Sequence, residues 1–138
     1  MIAAVSINYW AVLAATVAAV VIGFLWYGPL FGKVWMQLMG FDKKKMDKNM
    51  KKGMTKSYVI MVITSLVTSY VLAHFVKYLG TTVSDALQTA FWVWLGFIAT
   101  IQIGIVLWEG KPWKLYFINT FYWLVNLVVM AAILASWP

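Results

Sequence analysis

Asp85, Gln88, Trp92, Leu95, Ala99, Gln102, Val106 and Glu109 step by three and four residues, so on a helix they share one face. Two carboxyls at the ends of such a face suggest an acid and base pair. They are 24 residues apart, however, which along a helix is about 36 Å, too far for cooperation in one proton transfer. The amides between them are better suited to hydrogen bonding inside a membrane, where lipid offers no partner and polar side chains turn toward other helices or a hydrated cavity. Asn119 and Asn126 lie seven residues apart on a second stripe. Counted at about 1.5 Å per residue from one boundary, Gln102 and Asn119 reach similar depths of about 10 Å and are expected to pair. Gln88, Gln102, Asn119 and Asn126, with His74, thus form a candidate intramembrane polar seam, either a packed interface or the wall of a transport path.

His74 is the single histidine and the chain has no cysteine. No further ligand stands at metal-binding spacing, so neither a metal nor another cofactor is expected. His74 should be neutral, near Trp10 and Trp92, bonded to an indole N–H or a backbone carbonyl, with pH sensing as a functional alternative. The absence of a Ser, His and acid set and of a glycine-rich phosphate loop argues against an enzyme. Thr64, Ser65, Thr68 and Ser69 can bond their own i−4 carbonyls without any ligand.

The elements that must hold these residues follow from composition. Of 138 residues, 64% are apolar and only 11% charged, well away from soluble averages. Runs at 7–27, 57–78, 86–108 and 113–137 each approach the ~20 apolar residues needed to cross a hydrocarbon core of about 30 Å. AATVAAVVIGF shows none of the alternation of a membrane barrel. The expected fold is all-α: one polytopic domain over 1–138, a bundle of four transmembrane helices with an interfacial amphipathic basic loop at 28–56. Ala11, Ala15, Ala19 and Gly23, and separately Gly96, Thr100 and Gly104, form ridges of small residues. These permit close helix contact within the chain or between copies, and a homo-oligomer is expected.

Charge sets the orientation. All eleven basic residues are Lys, and all but Lys77 fall in the first and third loops, which places those loops inside and both termini outside a bacterial inner membrane. The N-terminal segment lacks the positive region of a secretory signal, so the first helix reads as a retained span. Trp26, Tyr27, Trp35, Trp108 and Trp113 are candidate aromatic anchors at the headgroup level. In FLWYGPLFGKVW, Gly28-Pro29 is expected to stop the first helix, and Phe31, Val34, Trp35, Leu38 and Met39 then recur as an amphipathic helix lying on the inner surface. The following DKKKMDKNMKKGMTK aligns Met46, Met50 and Met54 among lysines. It reads as a solvated linker or, preferably, as a site where Lys43, Lys44, Lys45, Lys48, Lys51 and Lys52 hold anionic lipid headgroups. Nucleic acid is not expected as a partner, because the lysine run has no Arg and no interleaved aromatics.

WYGPLFGKVW, then KKGM, then WEGKPWKLYFINTFYWLVNLVVMAAILASW together resemble the bacterial membrane-protein family known as domain of unknown function 1761. The resemblance runs over nearly the whole chain. It implies a compact four-span membrane protein without an established activity and carries over no catalytic residue. An offset of 82 also superposes Trp10, Leu13, Trp26 and Gly28 on Trp92, Leu95, Trp108 and Gly110, either a duplicated hairpin or coincidence in a chain rich in Trp and Leu. Two functions stay open: a non-enzymatic membrane component engaging anionic lipid, and a small transporter or channel along the seam.

Overall fold

A computed structural model describes residues 5–40 and 48–138, with side chains throughout that range except at 48–53. The described residues contain helices and no strands. Four helical stretches, Tyr9–Leu30, Met54–Leu79, Val83–Leu107 and Trp113–Ser136, are long and apolar enough to cross a membrane. The all-α four-helix bundle expected from the apolar runs is the architecture found.

Helix α1 spans Tyr9–Leu25. Asn8 caps it, its Oδ1 accepting from the N–H groups of Trp10 and Ala11 at 3.1 and 3.3 Å. The same side chain donates through Nδ2 to the carbonyls of Trp137 and Pro138, which ties the start of α1 to the end of the last helix. Gly28-Pro29 does not stop the chain as expected. Instead the helix widens into a π turn over Trp26–Leu30, closed by the Phe31 N–H on the Trp26 carbonyl at 2.8 Å. Pro29 has no N–H to lose, and the wider turn relieves the clash its ring would make with the preceding carbonyls. The break falls two residues later at Phe31, after which α2 runs over Gly32–Met39 and closes on Gly40 in the left-handed region at φ 78°. The described parts of 28–56 are mostly helical: α2 falls where the Phe31, Val34, Trp35, Leu38 and Met39 spacing predicts a helix, and α3 begins at Lys48.

Helix α3, Lys48–Leu79, is 32 residues long, or about 48 Å. Its apolar side chains, among them Val59, Ile63 and Val67, are more than half exposed and form an outward surface suited to lipid. After a turn at Gly80, Thr82 caps α4 (Val83–Trp94) by accepting the Asp85 N–H. A second π turn occupies Leu95–Ala99, followed by the short helices α5 (Thr100–Gln102) and α6 (Gly104–Leu107). Helix α7, Trp113–Ser136, is the most enclosed element and packs against α1, α3 and α4.

Small residues let α1 and α4 approach α7 closely. Ala11, Ala15 and Ala19 are almost wholly buried, as are Ala86 and Ala90. One step further along α1, a Cβ on Gly23 would fall 3.0 Å from the Tyr122 hydroxyl. The α1 ridge is thus spent on packing within the chain, whereas Gly96 and Thr100 of the other ridge face outward.

Candidate functional site

Side-chain hydrogen bonds from both flanking helices converge on one stretch of α7. From α1's π turn, the Trp26 indole N–H donates to the Ile118 carbonyl at 3.0 Å, and the Tyr27 hydroxyl donates to Asn119 Oδ1 at 2.7 Å. From α4, the Trp94 indole N–H reaches the Thr120 carbonyl at 2.7 Å. In the reverse direction the Tyr116 hydroxyl donates to the Ala99 carbonyl at 2.6 Å, at the end of α4's π turn. Three consecutive residues, Ile118 to Thr120, therefore receive a side-chain donor from one flanking helix or the other. Such bonds are geometrically demanding and fix the rotation of α1 and α4 about α7.

Aromatic rings enclose this belt on its α2 side. Tyr27 lies 5.0 Å from Tyr122 and 5.5 Å from Trp35, both edge to face, and Trp26 lies 4.8 Å from Phe31. Gly32 makes the close turn possible, because a Cβ there would sit 2.5 Å from the Tyr27 carbonyl oxygen. The stretch FLWYGPLFGKVW is thus a docking element for α7. Trp26, Tyr27 and Trp35 are half-buried in it, and the Trp26 and Tyr27 donors are used within the bundle. Trp108, 86% exposed, and Trp113, 49% exposed, do face outward.

The face from Asp85 to Glu109 does not point inward. Gln88, Trp92, Leu95, Gln102 and Glu109 are exposed, and the inward line is Ala86, Ala90, Trp94 and Ala99. In the membrane, close approach selects the face with the smallest side chains rather than the most polar one. The spacing of that line is four, four and five, and the five spans the π turn. The expected Gln102–Asn119 pair is consequently absent: Asn119 bonds Tyr27 while Gln102 faces out. Asn126 is 1% exposed with its Oδ1 unpartnered, as is the hydroxyl of buried Thr120. The four amides share no common face, so the seam does not exist as one surface.

His74 is half-buried, and its Nδ1 lies 2.8 Å from the Tyr70 carbonyl on its own helix. A carbonyl only accepts, so Nδ1 carries the proton. Its ring neighbours are Tyr70 at 4.7 Å and Tyr78 at 6.4 Å, in place of the expected Trp10 and Trp92. Among the hydroxyls, Thr68 bonds the Thr64 carbonyl as expected, but Ser69 reaches across to the Val12 carbonyl of α1 at 3.0 Å. Lys43, Lys44 and Lys45 lie outside the described residues. Lys48, Lys51 and Lys52 fall on the first turns of α3, where side chains are not described. The 82-residue offset pairs structurally unlike positions, since Trp26 is bonded to α7 while Trp108 stands free of the bundle.

Trp94, Tyr116, Thr120 and Tyr122 belong to no polar pattern legible in the sequence. The Ala86, Ala90, Trp94 line at steps of four was the available signal for the first of them.

A bundle of four membrane-competent helices, tied by aromatic donors to the carbonyls of a central helix, defines the class: a multi-pass helical membrane protein. Within that class, the family described as Protein of unknown function (DUF1761) matches residues 10–135, and the chain belongs to it. No curated protein and no solved structure matches the chain.

Proposed function

We propose that the protein is a non-enzymatic component of a bacterial inner membrane, both termini outside, which engages anionic lipid headgroups through the lysines at its α2 end and assembles as a homo-oligomer. The observation that carries the lipid reading is the length of α3. The apolar run begins at Ser57 but the helix begins at Lys48, so the turns bearing Lys48, Lys51 and Lys52 continue the helix past its apolar part. Lysines on such a continuation stand at the headgroup level, where each contributes about 1 kcal/mol toward an anionic leaflet. Lys33 and Lys114, both exposed at the same end, add to the field. The non-enzymatic reading is supported by the two described acids, Asp85 and Glu109, standing at opposite ends of the bundle.

Changing Lys43, Lys44, Lys45, Lys48, Lys51 and Lys52 to Gln should strip co-purifying acidic lipid, quantified by mass spectrometry of extracts, and high salt should do the same to the unmodified protein. Unchanged acidic-lipid content in the variant would refute the proposal.

A further inference from the structure

At the end of the bundle opposite α2, an open groove of about 320 Å3 runs along the outward face of α4 and its π turn, with Leu79 at the end of α3 on its rim. This is within the range of small-molecule sites, about 300–1,000 Å3. Leu79, Asp85, Gln88, Trp92, Val93 and Phe97 line it. Their order along the helix is chemically graded. Asp85 and Gln88 stand at the membrane-boundary end. Trp92 and Phe97, 64% and 69% exposed, continue it toward the middle of the span, about 18 Å from Asp85 to Phe97.

The polar end is built. Asp85 lies against Gly80, where a Cβ would fall 2.7 Å from the carboxylate Oδ2, and Gly80 has the left-handed φ of 153° that favours glycine. The carboxylate has no ion pair with a described residue. Lys77, the described lysine at this end, lies on the other side of α3, beside Asn8 and Trp137. Gln88 Nε2 lies 3.4 Å from the Ser84 hydroxyl, which leaves Oε1 as a second acceptor at the mouth.

We infer that this groove seats a phospholipid with a primary-amine headgroup, such as phosphatidylethanolamine. Its ammonium donates to Asp85 and Gln88 Oε1, and one acyl chain lies along Trp92, Val93 and Phe97. A lipid is the occupant because the groove opens toward the bilayer and its polar and apolar ends match the depths of headgroup and chain. An amine suits the mouth because the Asp85 carboxylate only accepts and carries the charge an ammonium complements, with Gln88 Oε1 as a further acceptor. A trimethylated headgroup keeps the charge but has no N–H to donate, and a glycerol headgroup brings a net negative lipid to a carboxylate. The inference is independent of the lysines at the other end.

Native mass spectrometry of the purified full-length protein, titrated with short-chain phosphatidylethanolamine, phosphatidylcholine and phosphatidylglycerol, tests it. The protein should bind the ethanolamine lipid about tenfold more tightly than the choline lipid. Asp85→Asn should erase that preference. Gln88→Trp, which fills the mouth but keeps the carboxylate and the cap of α4, should erase it as well. Equal binding of the ethanolamine and choline lipids by the unmodified protein would overturn the inference, as would an undiminished preference in either variant.

Discussion

The hydrogen bond from Tyr27 to Asn119 makes a quantitative test of the bundle. It joins the π turn at the end of α1 to the middle of the polar belt on α7, and at 2.7 Å it has the most favourable length for two oxygens. Tyr27→Phe removes only the hydroxyl and keeps the ring against Tyr122 and Trp35. Asn119→Leu removes the acceptor at similar volume. Each single change strands one polar group, and the double variant strands none. Coupling across membrane helices averages about 0.6 kcal/mol and reaches about 1.7. A short bond between half-buried partners belongs in the upper half of that range, so a coupling of about 1 kcal/mol or more is expected. The assay is reversible unfolding in mixed micelles titrated with a denaturing detergent, followed by circular dichroism, on the four proteins of the cycle. A parallel cycle with Gln102→Leu and Asn119→Leu supplies the contrast: Gln102 faces out, and its coupling should fall within the scatter of additive pairs, about 0.3–0.5 kcal/mol. A Tyr27–Asn119 coupling inside that scatter, or a Gln102–Asn119 coupling outside it, would refute the placement of α7.

Gly32→Ala should destabilise the protein by about 1–3 kcal/mol, because its Cβ meets the Tyr27 carbonyl, a backbone group that yields only if α2 moves. Gly28→Ala is the control, with nothing within 4 Å of the new methyl, and thermal unfolding should show it neutral or slightly stabilised. For orientation, single cysteines at Ser84 and Ser136 in this cysteine-free chain should react with an impermeant thiol reagent in intact cells, while one at Asn49 should stay protected; labelling at Asn49 alone would invert the orientation.

The number of spans and the amphipathic α2 were legible because both depend on averages over many residues, which the apolar runs and the Phe31, Val34, Trp35 spacing report directly. The direction each helix faces is a different quantity. In water the apolar stripe points to the core, but lipid is as apolar as Leu, so the stripe loses its meaning and backbone approach decides. Ala11, Ala15 and Ala19 announced that rule on α1. The same rule holds at Ala86 and Ala90, where the periodic Asp85, Gln88 and Trp92 face masks it. The partners of Trp26 and Tyr27 were not legible for a related reason: their types suit a membrane boundary and a carbonyl on a neighbouring helix equally well, and only the fold brings Ile118 and Asn119 within reach. Ser69 shows the same ambiguity, between the carbonyl one turn back and one on α1.

The π turn at Leu95–Ala99 gives the third span a place where chain length can change. Removing one residue from an ordinary membrane helix rotates everything beyond it by about 100° and turns its buried side chains into the lipid. Here the turn already holds one residue more than the α-helical repeat between Trp94 and Ala99. Deleting one residue from within it would restore a spacing of four, keep Ala99 on the buried line and shorten the span by only about 1.5 Å. The third span can therefore lose one residue at this point without rotating the segment that leads to α7.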